Sequence, residues 1–205
     1  FSSSIEKLEL FKHFRQMKVF KFGGASVKDA DGIRNLHSII SNHQDDELFV
    51  VVSAIGKTTN KLEAAVQAYA ADEDWTPLLE AVFDEHEQLL SSLISEKCDA
   101  HTALEKIRTY AFAFLEADTD GNYDLLYDQI VSLGEILSTK IISAFLKDQG
   151  MKNDWLDARK LIHTDNNYRA ASINWDLTQQ RVVSAWEWKK SDIVVSQGFI
   201  GGGDH

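Results

Sequence analysis

Short apolar runs along this chain predict the strands of a parallel sheet. Residues 18–22 predict a buried strand, and the β-branched run at 48–53 shows no polar alternation, which is typical of a parallel strand covered on both faces. The run at 192–196 predicts a further strand, and residues 155–157 are a short candidate. We therefore expect an open α/β sheet whose ligands bind at the carboxyl ends of its strands.

Helical spacing dominates the rest of the chain. A helix of about four turns is predicted between the first two strands, where Asp29 or Asp31 could cap it; together these three elements predict a right-handed βαβ unit. The apolar residues of its buried face are Ile33, Leu36, Ile39 and Ile40. Residues 58–149 contain no convincing strand, so they predict either a helical layer on the sheet or a helical insertion beside it.

Four helix signals stand out after residue 58. Thr76 and Pro77 predict a helix start with threonine as the N-cap, and a helix over about 101–116 is followed by a break at 118–122. A long helix is predicted over about 123–148, with Gly150 just past its end, and another at 177–188. A length of 205 residues with 44% hydrophobic content fits one domain, or a large part of one, with a substantial core.

Composition narrows the class of partner. The chain of 205 residues carries a formal charge of −11, which disfavours a nucleic-acid partner held through phosphates. No continuous apolar run approaches the roughly 20 residues of a membrane span, so no membrane partner is expected. The single cysteine, Cys98, excludes an internal disulfide and suits a reducing compartment, for which the cytoplasm is the default.

The first sixteen residues are interpreted separately. Ile5, Leu8, Phe11 and Phe14 have the spacing of a short amphipathic helix, without the apolar centre of a secretory signal. Because Met17 directly precedes the first strand, residues 1–16 are predicted to be an appended extension, with a genuine N-terminal arm as the alternative. Residues 17–205 are assigned to one domain.

The end of the first strand carries the most informative chemistry. Lys21 and Phe22 run into Gly23 and Gly24, with Ser26 close behind. Two glycines bring bare backbone N–H groups close to an anion, and the lysine adds a mobile positive charge. The order differs from the Walker A and dinucleotide-binding patterns, yet it suits a polyphosphate.

The string Lys-Phe-Gly-Gly-Ala-Ser-Val resembles the opening motif of aspartokinases, a branch of the amino-acid kinase family. The turn from Ser53 to Asn60 is similar to the segment after that family's second strand, and the resemblance implies that Ser53 and Ala54 line the aspartate and phosphoryl site while Thr59 contacts the substrate. On its own, this turn is equally well explained as a loop with Thr58 or Thr59 as the next helix's N-cap.

Two further segments match the family. The stretch from Ser132 to Ser138 resembles its Ser-x-Gly-Glu-x-x-Ser pattern, which implies that Glu135 binds the substrate's α-amino group; a solvated glutamate on a polar helix face is the alternative. Gly134 predicts close backbone approach or a helix boundary. The turn around Gly198 resembles the family's nucleotide-side turn, where glycines approach ATP.

The resemblance implies a carbamate kinase-like three-layer sandwich with a mainly parallel sheet. Residues 17–205 are expected to form the N-terminal portion of this domain, which is therefore incomplete in this chain. It implies ATP-dependent phosphorylation of the L-aspartate side-chain carboxylate, the first step of lysine, threonine and methionine biosynthesis, in a parent that is a homodimer or higher homo-oligomer. Lys21 is the expected catalytic residue; Lys21, Phe22, Gly23, Gly24, Ser26 and Gly198 would hold ATP, and Ser53, Ala54, Thr59 and Glu135 the substrate.

The histidines lack metal-ligand spacing, and a lone surface or core histidine is the favoured interpretation of each. The resemblance implies ATP as the co-substrate, with Mg²⁺ carried in by the nucleotide and no protein metal site. The arginine- and aspartate-bearing region that follows Gly-Phe-Ile-Gly in aspartokinases does not appear, and little or no turnover is therefore expected from these residues alone. Three alternatives remain. They are an acetylglutamate or glutamate kinase, a bifunctional parent joined to a homoserine dehydrogenase, and a non-catalytic truncated or regulatory subunit.

Overall fold

The computed structural model describes residues 17–43, 45–117, 122–187 and 189–203. The predicted amphipathic helix of residues 1–16 lies outside these ranges, as does most of the predicted break at 118–122. The described residues form a parallel sheet in the order β1-β2-β4-β3. Its strands are β1 (Met17–Phe22), β2 (Glu47–Val52), β3 (Asn153–Trp155) and β4 (Ile193–Gln197).

Eight helices occur among the described residues, and no strand interrupts those between β2 and β3. They are α1 (Ala30–Ser41), α2 (Thr58–Ala70), α3 (Thr76–Leu93), α4 (Asp99–Glu116), α5 (Tyr123–Val131), α6 (Leu133–Asp148), α7 (Ala158–Leu161) and α8 (Trp175–Glu187). The α/β class and the helical content predicted for 58–149 are confirmed. Helix α6 contacts β2, β3 and β4, while α2 to α5 pack on one another and on α6. The helical segment is thus a layer anchored to the sheet through α6.

The two faces of the sheet differ in burial. Leu48, Val50 and Val52 are fully buried, whereas Phe49 and Val51 on the opposite face are only partly buried. On that second face the ring of Phe49 lies 6.2 Å from the ring of Trp186 in α8. The prediction that the second strand is covered on both faces is therefore wrong for β2, although β4 is buried along its whole length.

Helix ends follow local chemistry, with some corrections. Asp29 caps α1 by accepting the N–H of Gly32, as one of the two predicted caps. Thr76 is the first residue of α3 rather than its N-cap, and Asp74 accepts both its N–H and its hydroxyl. Gly150 has a φ of 79°, as expected for a residue just past a helix end.

The predicted long helix over 123–148 is two helices. Ser132 separates α5 from α6, two residues before Gly134. The span Tyr123–Asp148 is long and apolar enough to cross a bilayer, but 78% of its most apolar window is buried inside the fold. Both helices therefore behave as core helices.

The last predicted elements are shifted slightly. The strand expected at 155–157 occupies Asn153–Trp155 instead, because Asp157 turns to cap α7 by accepting the N–H of Arg159. The helix expected at 177–188 begins two residues earlier, at Trp175. On the predicted apolar face of α1, Ile33, Leu36 and Ile40 are buried, whereas Ile39 is exposed.

Candidate active site

The loops after β1, β2 and β4 meet at one edge of the sheet. The N–H of Ser53 donates to the carbonyl of Phe22 at 3.0 Å, and the N–H of Gly198 donates to that of Val52 at 3.1 Å. These bonds continue the parallel ladder past the ends of the strands. The sequence-predicted residues of three separate segments are therefore brought to the same place.

The glycine turn after β1 packs against the loop after β2. A Cβ added at Gly24 would lie 2.6 Å from the carbonyl oxygen of Ala54, and the Gly24 carbonyl accepts the N–H of Gly56 at 3.1 Å. A Cβ added at Gly23 would have nothing within 4 Å. Gly24 thus permits contact between the two loops, while Gly23 borders open space in which an anion could approach the backbone.

The first turn of helix α6 packs against the loop after β2. A Cβ added at Gly134 would lie 3.2 Å from both the Cβ of Ala54 and the Cγ2 of Thr58. The close approach predicted for Gly134 is confirmed, and the helix boundary at Ser132 is nearby. The glycine lets the first turn of α6 sit directly under the loop.

Glu135 lies in that first turn and is buried, with only 4% of its surface exposed. The alternative of a solvated glutamate on a polar face is therefore wrong. Burial raises the pKa of its carboxyl to about 7, although the carboxylate accepts backbone N–H groups from Ala54 and from Glu135 itself, which oppose the rise. A buried carboxylate close to neutral pH favours a cationic ligand that would restore its charge.

Thr58 and Thr59 begin α2 immediately after the same loop. Lys57 occupies the N-cap position, so neither threonine is the cap that the sequence offered. The hydroxyl of Thr58 donates to the carbonyl of Ile55 at 2.7 Å and lies 3.5 Å from Nε2 of the buried His86 in α3. Nδ1 of His86 donates to the carbonyl of Val82 at 2.7 Å, and burial lowers the pKa of this histidine.

Lys21 and Phe199 connect the first and last loops of the site. Lys21 stands opposite Val51 in the sheet register, and its Nζ lies 4.8 Å from the centroid of the Phe199 ring. Phe199 follows Gly198 in the turn after β4 and has a φ of 65°. Ser26, by contrast, is exposed in the glycine turn, where its N–H donates to the carbonyl of Gly23 at 2.8 Å.

A buried polar network joins α6 to β3 and β4. The hydroxyl of Thr139 donates to the carbonyl of Glu135 and accepts N–H groups from Trp155 at 2.9 Å and from Gln197 at 2.7 Å. Gln197 in turn accepts the N–H of Ala158. The residue that precedes the Gly198 turn is thus tied to the helix that carries Glu135.

Sequence reasoning missed Thr139, His86 and Phe199. Each acts through a contact distant in sequence, and only the Gly-Phe-Ile-Gly string hinted at Phe199. Within the described ranges, no cluster of three or more His, Cys, Asp or Glu side chains suits a metal ion.

The sequence profile of the amino acid kinase family matches residues 16–205, and this match covers most of the chain. The chain belongs to the amino acid kinase family. Within that family it is 30% identical over 187 residues to an aspartokinase of Chlamydia pneumoniae, covering 89% of this chain and 39% of the relative. It is 27% identical to the lysine-sensitive aspartokinase 3 of Escherichia coli, covering 91% of this chain and 41% of the relative.

Solved structures give the same fold. The E. coli aspartokinase III in complex with aspartate and ADP superposes with a TM-score of 0.79 at 24% identity, covering 92% of this chain and 42% of that one. The complex of that enzyme with lysine and aspartate has a TM-score of 0.71 at 25% identity, with similar coverage. The amino-acid kinase fold is confirmed, and this family member spans about 40% of the length of these relatives.

Proposed function

We propose that the chain carries the aspartate- and phosphate-binding half of an aspartate kinase. The buried carboxyl of Glu135 is the main support for this proposal. It accepts the N–H of Ala54, in the loop from Ser53 to Thr59. A protonated amine beside this carboxyl would pair with the carboxylate and lower its pKa. The named relatives are aspartokinases, and one related structure holds aspartate and ADP.

The chemistry of the acceptor explains the rest of the site. A side-chain carboxylate is already ionised at pH 7, so its transfer reaction needs no strong general base. The obstacle is repulsion between this anion and the anionic γ-phosphoryl group of ATP. Catalysis would rest on in-line positioning and on neutralising charge by the Lys21 ammonium, by backbone N–H groups near Gly23 and by Mg²⁺ carried in with ATP.

The proposal divides the site into two halves. Lys21, Phe22, Gly23, Gly24, Ser26 and Gly198 would face the nucleotide phosphates, and Ser53, Ala54, Thr59 and Glu135 the amino acid. The close packing of Gly24 on Ala54 supports one site made of these two halves. It brings the glycine turn after β1 directly against the loop after β2, without an intervening side chain. A cytoplasmic location and a homo-oligomeric full-length enzyme belong to the same proposal.

Two substitutions test the division. Lys21→Ala should lower kcat strongly with little change in aspartate binding, because its ammonium acts on the phosphoryl group. Glu135→Ala should mainly raise the KM for aspartate. Turnover is followed as aspartyl hydroxamate formed from the acyl phosphate, in the longest natural polypeptide that contains residues 17–205. Small and equal effects of both substitutions would refute the assigned roles.

Substrate identity is tested in the same assay with aspartate, acetylglutamate and glutamate as separate acceptors. The proposal expects turnover with aspartate and at most a trace with the others. Turnover with acetylglutamate or glutamate instead would identify another amino-acid kinase, and saturable aspartate binding without turnover would identify a non-catalytic subunit. The chain of 205 residues is tested in parallel. It should bind aspartate in calorimetric titrations and show little or no turnover in the hydroxamate assay.

A further inference from the structure

Phe199 combines an unfavourable backbone conformation with an exposed aromatic ring. Its φ of 65° is in the left-handed region, which costs a non-glycine residue free energy, and 78% of its surface is exposed although it is aromatic. A glycine at this position would have avoided both costs, because glycine adopts a positive φ without strain and has no ring to expose. A strained and exposed aromatic at the ligand edge of a parallel sheet points to a role in the site.

The ring of Phe199 has one specific neighbour of interest. Nζ of Lys21 lies 4.8 Å from its centroid, within the range of a cation–π contact. Lys21 lies on β1 and Phe199 lies in the turn after β4, and β2 separates these two strands in the sheet. The contact therefore spans β2 and links the strand that leads into the glycine turn to the turn after β4.

This contact leaves the ammonium free to act. An ammonium group has three N–H donors in a rotatable arrangement, and an aromatic face engages only one side of it. The remaining donors can point to phosphate oxygens at the turn that begins with Gly23, where a Cβ would meet nothing within 4 Å. The aromatic ring thus restricts a long flexible side chain without neutralising its charge.

We propose that Phe199 is a positioning residue for Lys21, whose ring pre-orders the lysine ammonium for the phosphoryl group of a bound nucleotide. The proposal rests on the proposed kinase function and adds a residue that acts only through Lys21. Because Phe199 acts through Lys21, which the proposed function assigns to the nucleotide phosphates, its loss should affect the nucleotide and leave aspartate untouched. The strain at Phe199 is then a cost of placing a ring, rather than a small residue, at this position.

Three variants separate the ring from the backbone. Phe199→Leu removes the ring and keeps the strained backbone, Phe199→Tyr keeps both, and Phe199→Gly removes both. We expect kcat/KM for ATP to fall about two- to fivefold in the Leu and Gly variants, the factor equivalent to roughly 0.5–1 kcal/mol for an exposed cation–π contact. Tyr should restore the natural value, and the KM for aspartate should stay constant throughout.

Stability provides the readout that a merely structural role would not give. Glycine relieves the left-handed strain, so Phe199→Gly should need more urea to unfold than Phe199→Leu, although both lose the same factor in kcat/KM. If the loss in kcat/KM instead follows the loss in stability, or if Tyr fails to restore it, the positioning role is wrong. An unchanged kcat/KM for ATP in Phe199→Leu would also overturn it.

The contact itself can be tested without turnover, so that its failure is distinguishable from failure of the kinase proposal. In the chain of 205 residues without nucleotide, ring currents should shift the Cε-proton NMR signals of Lys21 upfield. The shift should disappear in Phe199→Leu and persist in Phe199→Tyr. Its absence from the chain of 205 residues would refute the contact whatever the enzyme's substrate. Its presence, together with no kinase turnover by the longest natural polypeptide that contains these residues, would refute only the proposed function.

Discussion

The hydroxyl of Ser138 donates to the carbonyl of Ser53 at 2.7 Å, across 85 residues of sequence. Ser138 is fully buried in α6, and Ser53 is the first residue after β2. The bond lies one helical turn beyond Glu135 on the same helix. The loop proposed to bind aspartate is therefore fastened to the helix that carries its counter-charge, and the two should move together.

Ser138→Ala should loosen this attachment. The Ser53 carbonyl would lose a donor in a partly buried place, which should lower the free energy of unfolding by about 1–3 kcal/mol. The KM for aspartate should rise because the loop would shift relative to Glu135. Ser143→Ala is the matched control, since it removes a buried hydroxyl of the same helix that donates to Asn153. It should lower stability and leave the KM for aspartate unchanged; equal KM changes in both variants would contradict the proposed coupling.

The buried carboxyl of Glu135 should make stability depend on pH. Its pKa in the folded chain is about 7, against an ordinary value of 4.5, so the folded state binds the proton more tightly than the unfolded state. The advantage of the protonated form is complete below about pH 4.5 and is lost as pH rises through 7. Glu135→Gln, which stays neutral, should therefore gain stability relative to the natural chain above pH 7, by at most about 3 kcal/mol.

Urea unfolding at pH 5 and pH 8 measures this difference. The exposed Glu105 provides a control, because Glu105→Gln should give the same small change at both pH values. A Glu135→Gln variant with no added advantage at pH 8 would mean that the carboxyl is not buried in the folded chain.

Aspartate binding should release protons near neutral pH. An ammonium beside Glu135 would favour its ionised form, and a carboxyl with a pKa of about 7 is roughly half protonated in the free protein at that pH. Affinity for aspartate should consequently fall as pH drops below 7. Calorimetric titrations in buffers of different ionisation enthalpy should yield different apparent binding enthalpies, and Glu135→Gln should abolish the difference. Buffer-independent enthalpies for the natural chain would argue against contact between Glu135 and the amine.

Much of the sheet could be predicted because its signals are local. The runs at 18–22 and 192–196 contain the β-branched and aromatic residues of strands, and the structure has strands there within about one residue. The coverage of β2 was predicted wrongly, since apolar composition does not tell which neighbours will cover each face. Phe49 and Val51 are partly buried because α8 covers only part of their face.

Only those parts of the site that are formed by residues close together in sequence could be predicted. The glycines after β1 and the Gly-Glu pair of α6 are visible in the sequence, and the resemblance to aspartokinases supplied their roles. The burial of Glu135 was not visible, because α6 is enclosed on nearly all sides and its pattern has no clear polar face. The break at Ser132 was signalled only by Gly134, which predicted either close backbone approach or a helix boundary.

The two glycines after β1 make the final test, because only one of them is packed. Gly24→Ala would place a methyl group 2.6 Å from the Ala54 carbonyl oxygen, so the loops must separate, at about 1–3 kcal/mol in stability. Gly23→Ala would meet no protein atom within 4 Å and should leave the unfolding midpoint unchanged. If phosphates approach the backbone at Gly23, that same methyl group should still raise the KM for ATP, on the order of tenfold. A Gly23→Ala variant with natural stability and natural KM for ATP would place the phosphates elsewhere, because the methyl group would then be occupying space that no ligand uses.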